Sequence, residues 1–96
     1  MPDSSMSAAA TITLRLVYLA RLRDAFGAAG ESLAMPAGEA TPAAVLATLR
    51  ARGGAWAQEL APGRAVRIAV NHELATGHAP LGDGDEVALL PPVTGG

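Results

Sequence analysis

Just one stretch of this chain is marked as a helix at both ends, and that restricts the fold more than any other feature. It is EATPAAVLATLRARGG, residues 39–54. Thr41 suits the N-cap, and Pro42 suits the first helical position, where its missing N–H goes unused. Val45, Leu46 and Leu49 make one apolar stripe. Arg50 and Arg52 are expected in the last turn, where cations favour the helix dipole, and Gly53 and Gly54 are expected to stop the helix. A helix with a single apolar stripe must cover something. The chain offers strands on both sides of it. In TITLRLVYLA, Ile12, Leu14, Leu16 and Tyr18 alternate with Thr13, Arg15 and Val17, the period of an extended strand. ESLAMP, AVRIAVN and EVALL read the same way, with Leu33 and Met35, then Val66, Ile68 and Val70, as facing pairs and triplets.

The expected fold is therefore α+β: a mixed sheet of four to five strands packed on one main helix. RLRDAFG adds a short helical turn closed by Gly27, and AWAQEL adds another, with Trp56 and Leu60 facing inward. Glu73–Leu74 is a candidate for a very short strand. The first and last strands are the most apolar, so they belong side by side at the centre. The 96 residues suit one domain. The boundaries expected are a disordered extension over 1–10, the domain over 11–90, and an extended tail over 91–96.

Several function classes fall away on composition. There is no cysteine, which removes disulfides, thiolate metal sites and iron–sulfur clusters. Net charge is −2, so the chain as a whole lacks the electrostatic footprint of a nucleic-acid binder. No run approaches the ~18 apolar residues of a membrane helix. MPDSSMSAAA lacks the basic start and apolar run of a secretory signal. The expectation is a cytoplasmic protein without nucleic-acid or membrane partners.

Side-chain chemistry is equally sparse. His72 and His78 are the two histidines, and neither has the convergent spacing of a zinc site. They read as loop residues. GDGDE lacks the spacing of a calcium loop and reads as a tight turn before the last strand. No phosphate-binding glycine motif is present, and no serine stands near a histidine partner. No metal site is expected.

What remains is the end, LLPPVTGG. Chance places two glycines at a terminus in roughly 0.5% of chains at average glycine usage, so their position matters more than their number. Pro91 and Pro92 cannot donate to a sheet ladder and stiffen the exit from the last strand. Gly95 and Gly96 let a backbone enter a channel too narrow for a Cβ. Such an arm presents one functional group, the α-carboxylate of Gly96. A carboxylate is a poor electrophile, so useful chemistry requires activation, for instance as an acyl-adenylate.

From Ile12 to Gly96 the chain resembles the small subunits of molybdopterin synthase, sulfur carriers of the β-grasp, ubiquitin-like fold. The resemblance lies in YLARLRDAFG, in TPAAVLATLRARGGAWAQEL, in AVNHEL, and most specifically in PLGDGDEVALLPPVTGG. Carriers of the thiazole pathway share the fold and the Gly-Gly end, but are usually shorter and lack the Pro-Pro-Val-Thr run. The resemblance implies that an E1-like enzyme adenylates Gly96 with its own ATP, and that this chain binds no cofactor itself. A sulfur donor then converts the end to a thiocarboxylate. The tail enters the large subunit, where the sulfur builds the dithiolene on a cyclic pyranopterin. Gly96 would carry the sulfur as the non-catalytic carrier subunit of a sulfurtransferase, usually a heterotetramer. Gly95 would permit threading, and Pro91, Pro92, Val93 and Thr94 would align the tail. Leu19, Leu74 and Leu90 match the family's hydrophobic interface positions, although the family often has an aromatic at the places of Leu19 and Leu90. Two alternatives share the same chemistry: a carrier for thiazole, cysteine or tRNA thiolation, and a ubiquitin-like protein modifier.

Overall fold

Alternation in the first strand sets the two-layer arrangement. The computed structural model describes residues 10–92; the stretches 1–9 and 93–96 lie outside it. β1 (Thr11–Tyr18) buries Ile12, Leu14, Leu16 and Tyr18 and turns Thr11, Thr13 and Arg15 to solvent. It is followed by α1 (Arg21–Phe26), β2 (Gly30–Pro36), α2 (Pro42–Arg50), α3 (Gly54–Glu59), β3 (Arg67–Val70), β4 (Glu73–Leu74) and β5 (Glu86–Leu90). The sheet has five strands in the order β2-β1-β5-β3-β4. β1 and β5 run parallel at its centre, and the other pairs are antiparallel. The two most apolar strands are thus neighbours, as their patterning predicts.

The helices cover one face. Val45 and Leu49 of α2 are fully buried beside Leu14, Leu16, Val87 and Leu89. Leu46 packs at the margin of that cluster. The start of α2 is capped as expected: Thr41 Oγ1 accepts from the Ala44 N–H at 3.1 Å, with Pro42 at the first position. At its end the structure departs from the expectation. α2 stops at Arg50, so Arg52 lies beyond the last turn. Gly53 and Gly54 both take positive φ, 78° and 55°, and redirect the chain into α3. Arg52 is drawn back by better partners. Its two terminal nitrogens bind the Glu31 carboxylate at 2.9 and 2.8 Å, and its guanidinium lies 4.5 Å from the Trp56 ring centroid.

That contact closes a cluster containing every aromatic residue of the chain. Phe26 stacks on Trp56 at 3.9 Å, and Tyr18 meets both rings edge-on at 5.1 and 5.5 Å. The Tyr18 hydroxyl donates to Glu31 at 2.5 Å. Burial, then the neighbouring Glu31, pushes the Tyr18 phenol well above its ordinary range. Glu31 pairs with Leu16 in the β1–β2 register, which turns it toward the helices. An inward-facing charge on an edge strand discourages edge-to-edge pairing with another chain.

Candidate functional site

The parallel β1–β5 pair brings the ends of both strands to one side of the sheet. β5 runs out at Leu90 into Pro91 and Pro92, the last described residues of the tail. β1 ends beside it, where the Leu19 N–H donates to the Leu89 carbonyl at 3.1 Å. The root of the tail is therefore anchored at the centre of the sheet.

Among the described residues no helix covers the opposite face of the sheet, and the composition of that face follows from the register. Residues paired across strands point to the same side. Leu74 pairs with Ala69, Ala69 with Ala88, Ala88 with Val17, and Val17 with Gly30. One row of small or aliphatic residues thus crosses all five strands. Gly30 is required in its place, because a Cβ there would lie 2.2 Å from the Leu16 carbonyl oxygen. The next position along β5 is Leu90, paired with Arg67. Leu74 is 67% exposed and Leu19 38%; Leu90 is half-buried. None of the three belongs to the buried core. The structure brings Leu90, Leu19 and the tail root together at one end, and sets Leu74 across the sheet on edge strand β4.

Leu74 owes its position to a tight hairpin. Val70 and Glu73 pair across a two-residue loop in which Asn71 and His72 have φ of 50° and 74°. Positive φ at both loop residues is the mark of a type I′ turn, whose twist suits a hairpin. Asn71 is a favoured residue there, but His72 is not, so the sequence carries a muted signal. Asn71 also binds the next turn: its amide donates to Asp85 at 3.1 Å and its oxygen accepts the Glu86 N–H at 3.0 Å.

GDGDE is a structural turn. Asp85 accepts from the Gly82 N–H at 2.8 Å, and Asp83 accepts from the Thr13 N–H at 2.7 Å. The Gly82 N–H and then Asn71 hold the Asp85 carboxyl below its usual range. Among the described residues no three His, Asp or Glu side chains converge as a metal site. His72 stands 3.7 Å from Glu86 and His78 is exposed.

A second feature at the tail root has no counterpart in the sequence reading. Pro91, Pro92, Arg21 and Arg64 line a cleft of about 230 Å³. Arg21 is held by Glu59 of α3 at 3.0 Å. Between Leu19 and Arg21 the chain turns sharply, with the Leu22 N–H donating to the Leu19 carbonyl at 3.0 Å. Ala20 takes φ 51° and ψ −128° in that turn, a region an L-residue other than glycine rarely visits. Alternation alone gives no sign of it. The remaining tail residues proposed from sequence, Val93, Thr94, Gly95 and Gly96, lie outside the described residues.

A five-stranded mixed sheet wrapped on one principal helix, with a tail leaving its central strand, defines the β-grasp class of ubiquitin-like proteins. Within that class, the chain belongs to the ThiS family, whose model matches residues 16–96. It is 36% identical over 83 residues to the molybdopterin synthase sulfur carrier subunit of Escherichia coli, covering 86% of this chain and 99% of that protein. Among solved structures, a Haloferax volcanii protein superposes with a TM-score of 0.77 at 29% identity, over 90% of this chain and 88% of that one. The small archaeal modifier protein 1 of the same organism gives 0.67 at 26%, over 88% and 99%. A complex of subunits 1 and 2 of the molybdopterin-converting factor of Helicobacter pylori contains the same fold, with a TM-score of 0.55 at 23% identity over 88% of this chain and all of its counterpart.

Proposed function

We propose that this chain is the sulfur-carrying small subunit of molybdopterin synthase. The likeness over nearly the whole length of the Escherichia coli carrier is the observation that carries this reading. The geometry supports it: a proline-stiffened root leaves the central strand beside an open apolar face, so a partner gripping the face also receives the tail. In this scheme the Gly96 carboxylate attacks the α-phosphate of ATP on an E1-like enzyme, releasing pyrophosphate. A sulfur donor displaces AMP and leaves a thiocarboxylate. The tail then enters the large subunit, where its sulfur bonds to a carbon of a cyclic pyranopterin and water cleaves the acyl–sulfur bond, returning the Gly96 carboxylate; two transfers make one dithiolene. The described residues of this chain offer no acid–base pair for those steps, so the large subunit and the activating enzyme supply them. The work of this chain is to bind, align and deliver. Leu19, Leu74, Leu90, Ala69 and Ala88 form the docking face. No described helix is long and apolar enough to cross a membrane, and we place the chain in the cytoplasm.

The resemblance to a small archaeal modifier protein favours a second reading, attachment of Gly96 to amines of other proteins. With no lysine in the sequence, this chain cannot build lysine-linked chains upon itself.

One experiment separates the two. The chain is incubated with ATP, the cognate activating enzyme and a sulfur donor, and its intact mass is measured. The product is then mixed with the large subunit and the pterin precursor. Replacement of one oxygen by sulfur, followed by dithiolene formation, is expected. The chain lacking Gly96 should dock normally but yield no product. Conjugates to target proteins without dithiolene would replace the carrier reading with the modifier reading.

A further inference from the structure

Charge is distributed unevenly between the two ends of the sheet. One end carries Asp83, Asp85, Glu73 and Glu86 around the β3–β4 and pre-β5 turns, with Arg15 among them. The other end, where the tail leaves, carries Arg21 and Arg64 in the cleft against Pro91 and Pro92, and Arg67 opposite Leu90. Three of the seven cations of a chain with net charge −2 therefore ring the tail root. Among the described residues no carboxylate lines that cleft.

These arginines differ in what they do for the fold. Arg21 neutralises Glu59, which is 8% exposed. Arg64 and Arg67 are exposed, and their side chains bind no acceptor among the described residues. Reach limits what they serve. Gly96 lies four residue steps beyond Pro92, at most about 14 Å of extended chain. With the tail extended into a channel, guanidiniums at the root sit at the channel mouth and not at the reacting carboxylate. A role in the chemistry of Gly96 is thereby set aside in favour of recognition at the rim.

We infer that Arg64 and Arg67, with Arg21 behind them, form a basic collar that pairs with acidic side chains around the mouth of the large subunit's tail channel. This rests on the reading above that the tail enters that subunit. The collar is continuous with the open apolar face through the Arg67–Leu90 pair, so the same docking buries both. The acidic end of the sheet repels the same rim, and the molecule approaches tail-first. The strained turn at Ala20 sets Leu19 and Arg21 one residue to either side of it, serving the apolar face and the collar from a single loop. Charges of this kind act chiefly on the association rate, through long-range attraction that salt screens.

The test is association of the full chain with its cognate large subunit, followed by stopped flow from low to high sodium chloride. The native chain should associate more slowly as salt rises. Arg64→Gln/Arg67→Gln should associate about tenfold more slowly at low salt, with a flattened salt dependence and a dissociation rate within about twofold of native. Arg64→Glu should be slower still. Neither side chain supports the fold, and an unchanged circular dichroism melt checks this. Equal association rates for native and doubly substituted chains at every salt concentration would overturn the collar and leave the carrier reading intact. A substitution that slows association with the activating enzyme alone would also overturn it, by assigning the basic end to the other partner. Failure of the native chain to bind the large subunit at all would overturn the carrier reading and the collar together.

Discussion

The two faces of the sheet are built from the same strands, yet they obey different constraints. On the helix side, Leu14, Leu16, Tyr18, Val87 and Leu89 are essentially inaccessible. They pack against α2 and the aromatic cluster, where a methylene more or less is felt. On the open side, the facing residues are Val17, Ala69, Ala88, Leu74 and Leu90, apolar but shallow. Ala88 is buried at 8% exposure among its neighbours in the row, whereas Leu74 stands clear of its own domain. A contiguous apolar row beside the tail root, rising from buried Ala88 to exposed Leu74, fits the partner surface proposed above. One face sets stability, and the other is the docking face proposed above.

Paired substitutions break that comparison most sharply. Leu89→Ala removes a fully buried side chain from central strand β5. It should cost about 3 kcal/mol of unfolding free energy, by lost burial plus the cavity left behind. Leu74→Glu on the open face should change stability by no more than about 0.5 kcal/mol. The same Leu74→Glu should weaken large-subunit binding at least about tenfold, since it sets an unpaired charge into the docking row. Urea midpoints and binding isotherms on both variants make the measurement. A large loss of stability in Leu74→Glu would mean the open face supports the fold after all.

The buried face was legible from the sequence because period-two alternation and a capped helix report it directly. Ile12, Leu14, Leu16 and Tyr18 name their own face, and Thr41-Pro42 names the helix start. The centrality of β1 and β5 followed from their apolar content. What stayed hidden were contacts between residues far apart in the chain. Local logic places Arg52 at a helix end, and Glu31, 21 residues away, overrides that placement with a two-bond ion pair. The three aromatics stand at positions 18, 26 and 56 with no shared motif; only the fold assembles them. The hairpin at Asn71-His72 and the turn at Ala20 require positive φ from residues whose identities barely announce it. At the candidate site, family likeness pointed to the tail and three leucines, whereas the arginine collar depends on where Arg64 comes to rest beside Pro91.

The turn at Ala20 sharpens the contrast from the other direction, because here the site end of the molecule forgoes stability. The φ of 51° with ψ of −128° is that of the first central residue in a type II′ turn, where glycine is at ease. An alanine there carries roughly 1–2 kcal/mol of strain. Glycine in its place loses more freedom on folding, about 0.5–1 kcal/mol. Ala20→Gly should therefore raise stability by a net amount of about 0.5–1 kcal/mol, readable as a higher thermal midpoint. If the strain serves to hold Leu19 and Arg21 in place, the stabilised variant should bind the large subunit no better, or slightly worse.

The smallest effect concerns acid. Arg52, and then the Tyr18 hydroxyl, hold the Glu31 carboxyl below its ordinary value, against the opposing effect of burial. A group whose pKa is depressed on folding stabilises the folded state above its unfolded pKa, about 4.3 for glutamate. That contribution disappears as pH falls through the lower, folded value, when the proton taken up by Glu31 breaks the ion pair. Asp85 on the far end of the sheet behaves with the same sign, its carboxyl held down by the Gly82 N–H and Asn71. Stability should thus be flat near neutrality and decline below about pH 4. Glu31→Gln keeps an acceptor for Tyr18 but removes the charge that binds Arg52. It should lower neutral-pH stability by at most about 1 kcal/mol, the range of a partly exposed pair, and flatten part of the acid decline. Urea unfolding of both proteins between pH 2.5 and 7 gives the comparison. An equally steep acid limb in Glu31→Gln would assign the decline to other carboxylates, Asp85 first among them.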